Sequence, residues 1–275
     1  MPITLIANNY GKSRVRVLKV THHHASHDIA ELTVNVQFEG DFDAVHLSGD
    51  NSAVLPTDTM KNTVNVLAKA WSGEQIEDFA TQLAQHFLAN NSQVRAVRIE
   101  IAQTEWTRMA QHAFTRGSDE RRTTRIAATR TAVEIESGVE NLIVLKTAGS
   151  AFEGYKKDRY TTLKETTDRV FATAIKATWT YRNPQVAFGP CWQQARAAIL
   201  KTFIERDSPS VQHTAYAMGE AVLKAVEDIT GIRLSLPNKH CLLIDMAPFG
   251  LDNPNEIFVP TDEPHGLIEV SLQRR

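Results

Sequence analysis

Cysteine is scarce in this chain. Cys191 and Cys241 stand far apart and no Cys-x-x-Cys occurs, so neither a zinc ribbon nor a dithiol redox motif is indicated. A reducing cytoplasm suits such a sequence. Long apolar runs are missing too: none approaches the length that spans a bilayer. The N-terminal MPITLIANNYGKSR has only a short apolar patch and no cleavage-type signal, so no membrane partner is expected. Charge of one sign is also lacking. A net charge of −2 and a pI of about 6.6 leave no broad electrostatic footprint for nucleic acid. Residues 116–130 are locally basic (Arg116, Arg121, Arg122, Arg125, Arg130), but they enclose Asp119 and Glu120 and carry no stacking aromatics. They read as a solvated connection. No Walker loop, GxGxxG or GxSxG is present, which removes local support for nicotinamide binding and for Ser/His/Asp hydrolysis.

What is present is a chain of 275 residues, 42% hydrophobic and 23% charged, long enough for one large core or two modest ones. Residues 13–20 alternate as a strand. Residues 30–38 do so more cleanly, with Leu32, Val34, Val36 and Phe38 on one face and Thr33, Asn35 and Gln37 on the other. That pattern predicts an antiparallel strand with one polar face. Helices are expected over 57–70 and 73–89, the second with Ile76, Phe79, Leu83 and Phe87 at helical spacing. Val97, Ile99 and Ile101 then alternate, and 111–116 is read as a strand pairing back.

After the charged break at 117–120 the order recurs. Residues 123–135 and 141–146 read as a hairpin around Gly138, 162–174 as a helix, and 192–205 and 211–229 as further helices. Strands are expected at Ile232 to Leu236, at 241–246 and at 267–272. A weak similarity sets Asp58 to Val64 against Lys164 to Val170. A repeat this long indicates duplicated domains, 1–119 and 120–275, rather than a solenoid. Strand runs interrupted by paired helices indicate an α+β class, antiparallel sheets with helices on one face.

Residues 47–63, LSGDNSAVLPTDTMKNT, lie between a strand pattern and a helix pattern. Gly49-Asp50-Asn51-Ser52 reads as a turn. Pro56 biases Leu55 toward extended geometry, and Thr57 or Asp58 is placed to cap the helix that follows. Together with Tyr10-Gly11-Lys12 and with Ser235-Leu236-Pro237-Asn238-Lys239-His240, this stretch resembles urate oxidase, the cofactor-independent uricase family. The motifs occur in the family order across almost the whole chain. The resemblance implies two tandem tunnelling-fold domains, each a four-stranded antiparallel sheet with two main helices on one face. It further implies assembly into a homotetrameric barrel. The chain ends Leu272-Gln273-Arg274-Arg275 rather than in the Ser-Lys-Leu address of many eukaryotic relatives, which suggests a bacterial-type cytoplasmic protein.

The activity implied is oxidation of urate by dioxygen and water to 5-hydroxyisourate and hydrogen peroxide, without cofactor or metal. Lys12, Thr57 and His240 correspond to a proton relay. A lysine serves as a base only when neutral, which desolvation or neighbouring positive charge favours, and an imidazole exchanges protons near neutrality. Phe152 corresponds to a ring stacked on the purine. Arg169 corresponds to the guanidinium that pairs with the urate anion, a planar fork on a planar edge. Val211 and Gln212 match the segment facing it, whose amide both donates and accepts. Asn238 and Thr57 correspond to a small pocket for dioxygen or water, and Asp58 joins Thr57 beside the substrate. The resemblance places Lys12, Thr57 and Asp58 across a subunit interface from the clamp. Read without it, Lys12 is a solvated lysine, His240 a structural histidine, Phe152 a core aromatic and Arg169 a helix-surface arginine bonded to Asp168 or Glu165.

His22, His23, His24 and His27 are candidate metal ligands, but adjacent strand residues alternate faces, and no second cluster has metal-like spacing with them. A histidine-rich loop is the better reading, with His24 and His27 available to line a tunnel. Two other functions fit the pattern: a cyclohydrolase-type enzyme acting on a pterin or purine, and a non-catalytic purine-binding relative.

Overall fold

The computed structural model describes residues 3–275. The protein is α+β and divides into two compact units. One comprises the residues up to Gly138 together with Asn183–Gly189, the other Val139–Arg182 with Pro190–Arg275.

The first unit opens with β1 (Tyr10–His22) and β2 (His27–Gly40), an antiparallel hairpin. A short α1 (Asp43–Ser48) ends at Gly49, whose φ of 74° is the left-handed conformation that glycine adopts without strain. Two longer helices follow, α2 (Thr57–Ala70) and α3 (Ile76–Asn90). Strands β3 (Val94–Thr104), β4 (Thr107–Ala110), β5 (Ala113–Thr115) and β6 (Arg121–Ala128) complete the unit. The main sheet runs β1-β2-β3-β6, antiparallel throughout. Its inward face is the alternating set foreseen for β2: Leu32, Val34, Val36 and Phe38 are fully buried, as are Met60, Val64, Phe79, Leu83 and Ile99. Each such side chain stabilises the fold by about 1.5–3 kcal/mol on burial.

Residues 111–116 do not return to the main sheet. β5 pairs with β4 in a separate ribbon, held at its base by Arg108, which donates to the His27 carbonyl at 2.7 Å and to Asp28. The place beside β3 goes to β6, where Arg122, Thr124, Ile126 and Ala128 alternate inward. The basic stretch is therefore not a solvated connection. Arg122 is buried against Glu77, at 2.6 Å, while Ser137 Oγ donates to the other Glu77 oxygen at 2.6 Å. A buried pair holds only when both partners are bonded in this way. Arg130 closes the last turn of α3 through the carbonyls of Leu88 and Asn91.

The second unit is entered along β7 (Val133–Lys146), which begins in the first. It continues with β8 (Phe171–Tyr181), α4 (Phe188–Glu205), α5 (Val211–Ala225), β9 (Ile229–Leu243) and β10 (Phe258–Gln273). The sheet order is β7-β8-β9-β10. Phe203 of α4 meets Phe171 of β8 with ring centroids 5.6 Å apart. Gly219 lets α5 approach β9 and β10 closely, because a Cβ there would lie 2.7 Å from Leu272 Cδ1.

Three expectations fail here. The β6–β7 turn is at Thr129 and Ala132, where the Thr129 N–H donates to the Ala132 carbonyl at 2.9 Å, and Gly138 sits inside β7. Residues 162–174 form no helix: 162–170 is irregular and Phe171 begins β8. The β-branched and aromatic residues of FATAIKATWTY favour a strand there. The short similarity to Asp58–Val64, which is helical in α2, is therefore not a structural equivalence. Finally, β9 runs unbroken through Pro237. The β8–β9 pairing is interrupted between Thr173↔Asn238 and Lys176↔Ser235, which is where a residue without an N–H is tolerated.

Among the described residues, no helix is long and apolar enough to cross a membrane, and no group of three or more His, Cys, Asp or Glu is arranged to hold a metal ion.

Candidate active site

Lys12, Thr57 and Asp58 belong to the first unit; Phe152, Arg169, Val211, Gln212, Asn238 and His240 belong to the second. Each group is built by its own local structure.

In the first unit the turn before α2 forms as the residue types demand. Asp50 Oδ1 accepts the N–H of Ser52 at 2.9 Å. Pro56 is the N-cap of α2 and supplies no side-chain bond. Thr57 is the first helical residue, so it does not cap, and its half-buried hydroxyl stays available. Asp58, exposed, accepts from Lys61 and, at 3.1 Å, from Asn62 Nδ2. The hydrogen bond and charge of Lys61 hold its carboxyl below the usual range, with lesser help from Asn62 and from the positive charge of Lys12. Lys12 stands in register with Val36 of β2, which is fully buried.

Tyr10, which sequence reasoning quoted only as part of a motif, ties these residues together. Its hydroxyl accepts the N–H of Leu55 at 3.0 Å, two residues before Thr57. Its ring meets Phe42 and Phe38 edge-on at 4.8 and 5.8 Å. Burial raises the Tyr10 pKa, opposed by the bond from Leu55. Next to it Gly11 is obligatory, since a Cβ would fall 1.8 Å from the Val36 carbonyl oxygen.

In the second unit the irregular stretch after β7 is fastened by short pairings. The Ala151 N–H donates to the Ser208 carbonyl and the Ser208 N–H to that of Gly149, each at 2.8 Å. Phe152 and Thr166 exchange both backbone bonds, at 2.8 and 3.1 Å. These gather Phe152, Arg169 and the segment entering α5. The Arg169 guanidinium lies over the Phe152 ring, 5.4 Å from its centroid, while Tyr155 stacks against that ring at 4.9 Å.

Arg169 precedes β8 rather than sitting on a helix, and its neighbours have other partners. Glu165 bonds Lys157 and the Gly154 N–H; Asp168 accepts from the Ser150 N–H at 3.3 Å. Arg169 Nε is buried with no hydrogen-bond partner, and desolvation pulls the guanidinium pKa down. A half-buried cation lacking a counter-charge is costly unless an anion meets it.

Val211 and Gln212 open α5 behind Ser210, whose Oγ accepts the His213 N–H at 3.1 Å. Val211 is buried and Gln212 exposed. Asn238 and His240 continue the face of β9 that carries Ile232, Leu234 and Leu236. Both are half-buried, and opposite them β10 changes register between Thr261 and Gly266. Thr173, in register with Asn238 on β8, is fully buried with an unpartnered Oγ1. Sequence reasoning missed it because a threonine inside a strand carries no signal of its own.

The histidines gather without forming a metal site. His22 Nδ1 and His27 Nε2 are 3.0 Å apart, the His112 ring lies 4.4 Å from that of His27, and His23 pairs with Asp28 at 2.8 Å. His112, brought in by the β4–β5 ribbon, was invisible to local reading.

Comparison with known proteins agrees with these motifs. The family model named Uricase matches residues 8–127 and 135–269. A uricase from Arthrobacter globiformis is 43% identical over 99% of this chain and 90% of its own length. One from Cyberlindnera jadinii is 37% identical over 100% of this chain and 98% of its own. The crystal structure of the Arthrobacter globiformis uricase superposes with a TM-score of 0.96, covering 100% of this chain and 96% of that one. With the motifs in order along its length and this fold carrying them, the chain belongs to the uricase family.

Proposed function

We propose that this chain performs its family's reaction, urate + O2 + H2O giving 5-hydroxyisourate + H2O2, through the two groups of residues described. Two electrons pass from the purine to dioxygen, and water supplies the new hydroxyl. A urate anion relieved of a second proton is electron-rich enough to be its own reductant, so the protein's task is to hold it and to move protons.

The observation that carries this reading is Arg169, half-buried over Phe152 with neither Asp168 nor Glu165 as its partner. A flat anion on the Phe152 ring, with its edge on the guanidinium, satisfies both. Gln212 faces the opposite edge and Val211 closes the apolar side. Lys12, Thr57 and His240 relay the proton, and Asn238 with Thr57 holds dioxygen or water above the ring. Orientation and preorganised polar groups provide most of the acceleration.

In this reading the repeated orders β1-β2-α2-α3-β3-β6 and β7-β8-α4-α5-β9-β10 are two tunnelling-fold domains. Copies assemble into a homotetrameric barrel, where Lys12, Thr57 and Asp58 of one subunit complete the clamp of another. Cys191 and Cys241, which form no disulfide, suit a reducing, cytoplasmic setting.

The test is the loss of urate absorbance in air-saturated buffer with a chelator present and peroxide followed in parallel. One peroxide per urate, unaffected by chelation, is the expected result. Tight urate binding without turnover would overturn it, and an active, strictly monomeric preparation would refute the shared site.

A further inference from the structure

Strand β1 changes register just after Lys12. Upstream, Tyr10 and Lys12 stand opposite Phe38 and Val36; downstream, Val15 and Val17 stand opposite Val34 and Leu32. All four β2 partners are fully buried on the helix-covered face. Side chains directly opposite one another share a face, so Lys12 and Val15, an odd number of residues apart, both point toward α2. An unbroken strand alternates with period two and would send Lys12 to the other face. The extra residue of the bulge is what turns Lys12 toward the start of α2, and bulges re-aim side chains in this manner beside active sites.

The bulge is not self-supporting. Arg14, within it, has φ of 58°, a left-handed conformation that a side chain with a Cβ resists. Asn35 holds it: its Oδ1 accepts the Arg14 N–H at 2.7 Å, and its Nδ2 donates to Glu100 Oε2 at 3.3 Å. Asn35 and Glu100 stand in register across β2 and β3. Lying on the polar face, Asn35 acts on the backbone of β1 from the side opposite to Lys12.

We infer that Asn35, steadied by Glu100, is a positioning residue for Lys12. It fixes the Arg14 bulge and thereby the direction of the lysine. This rests on Lys12 being the base of the proposed reaction. It also gives a task to one residue on the polar face of β2, which the substrate clamp does not use.

The experiment measures kcat, KM and the pH profile of kcat for the assembled enzyme, with urate binding measured anaerobically. Asn35→Ala is expected to lower kcat about tenfold or more, the scale of a displaced catalytic group. KM and anaerobic urate binding stay within about twofold, and the limb of the pH profile that reports the base moves. Asn35→Asp combined with Glu100→Gln, which keeps the acceptor oxygen for the Arg14 N–H and reverses the donor across the pair, recovers most of the rate. So does adding Arg14→Gly to Asn35→Ala, because glycine adopts the left-handed conformation unaided.

An Asn35→Ala enzyme with unchanged kcat and pH profile overturns the inference, as does a double variant no faster than Asn35→Ala. If Asn35→Ala does not assemble, the double variant is compared with Arg14→Gly alone: equal kcat supports the bulge-holding role, and a tenfold deficit overturns it. Lys12→Met separates the two levels. A Lys12→Met enzyme at full rate overturns the reading of Lys12 and this inference with it. A crippled Lys12→Met beside a normal Asn35→Ala overturns this inference alone.

Discussion

The two units have the same order of strands and long helices, yet they place their polar residues by different means. In the first unit the hairpin between β1 and β2 is tight, and the long connection lies between β2 and α2. It delivers Thr57 at a helix start, while Lys12 is carried on a bulged strand of the same unit. In the second unit the long connection lies between β7 and β8. It delivers Phe152 and Arg169 from irregular backbone pinned by a few bridges. The two units thus share an element order and differ in the connection that carries the candidate residues. Cores are bound by period and packing, whereas connections are bound only by where their ends must meet.

The sharpest way to break this comparison is to disable each unit separately. Lys12→Met, in the first unit, is expected to reduce kcat by about 10²–10⁴, the usual worth of a general base, with KM nearly unchanged. Arg169→Lys, in the second, replaces a fork by a point charge and should raise KM by about tenfold or more; stopped-flow binding of urate reads this directly. Subunits carrying one or the other variant, mixed and reassembled, should regain activity that neither has alone. Mixtures that stay inactive would show that the two groups serve one subunit.

Smaller effects sharpen the picture within the first unit. Tyr10→Phe removes the acceptor for the Leu55 N–H and should lower stability by about 1 kcal/mol, read from urea unfolding, with a several-fold loss of kcat. The smallest effect concerns His27. Desolvation first, then the neighbouring His22, His112 and His23, lower its pKa in the folded protein. The unfolded chain thus takes up that proton more readily. The stability contributed by the neutral ring is complete above the ordinary histidine range and is lost as pH falls from about 6.5 downward. Asp28 and Arg108 face the same cluster. The protection of the His27 N–H, bonded to the Gln111 carbonyl at 3.0 Å, meaning its exchange relative to the intrinsic rate at each pH, should fall below that pH. Protection that rises on acidification would contradict the assignment.

Sequence by itself determined the α+β class, the buried face of β2, the two helices of the first unit and the motif order that marks the family. These rest on local periodicity and short-range turn chemistry, which a linear pattern carries. Tertiary structure decided the rest. Residues 162–170 escape a local reading because apolar spacing over a short segment does not distinguish a helix from a loop entering a strand, and the partners that fix it, Phe152 for Thr166 and Ser150 for Asp168, lie outside the segment. Arg169 was legible as a motif residue. Its lack of an acidic partner and its seat over Phe152 were not, because both depend on where Asp168 and Glu165 find other bonds. The direction of Lys12 was hidden for a similar reason. It hangs on one extra residue in β1 and on an asparagine 23 positions away in the next strand, and only the pairing of the two strands brings them together.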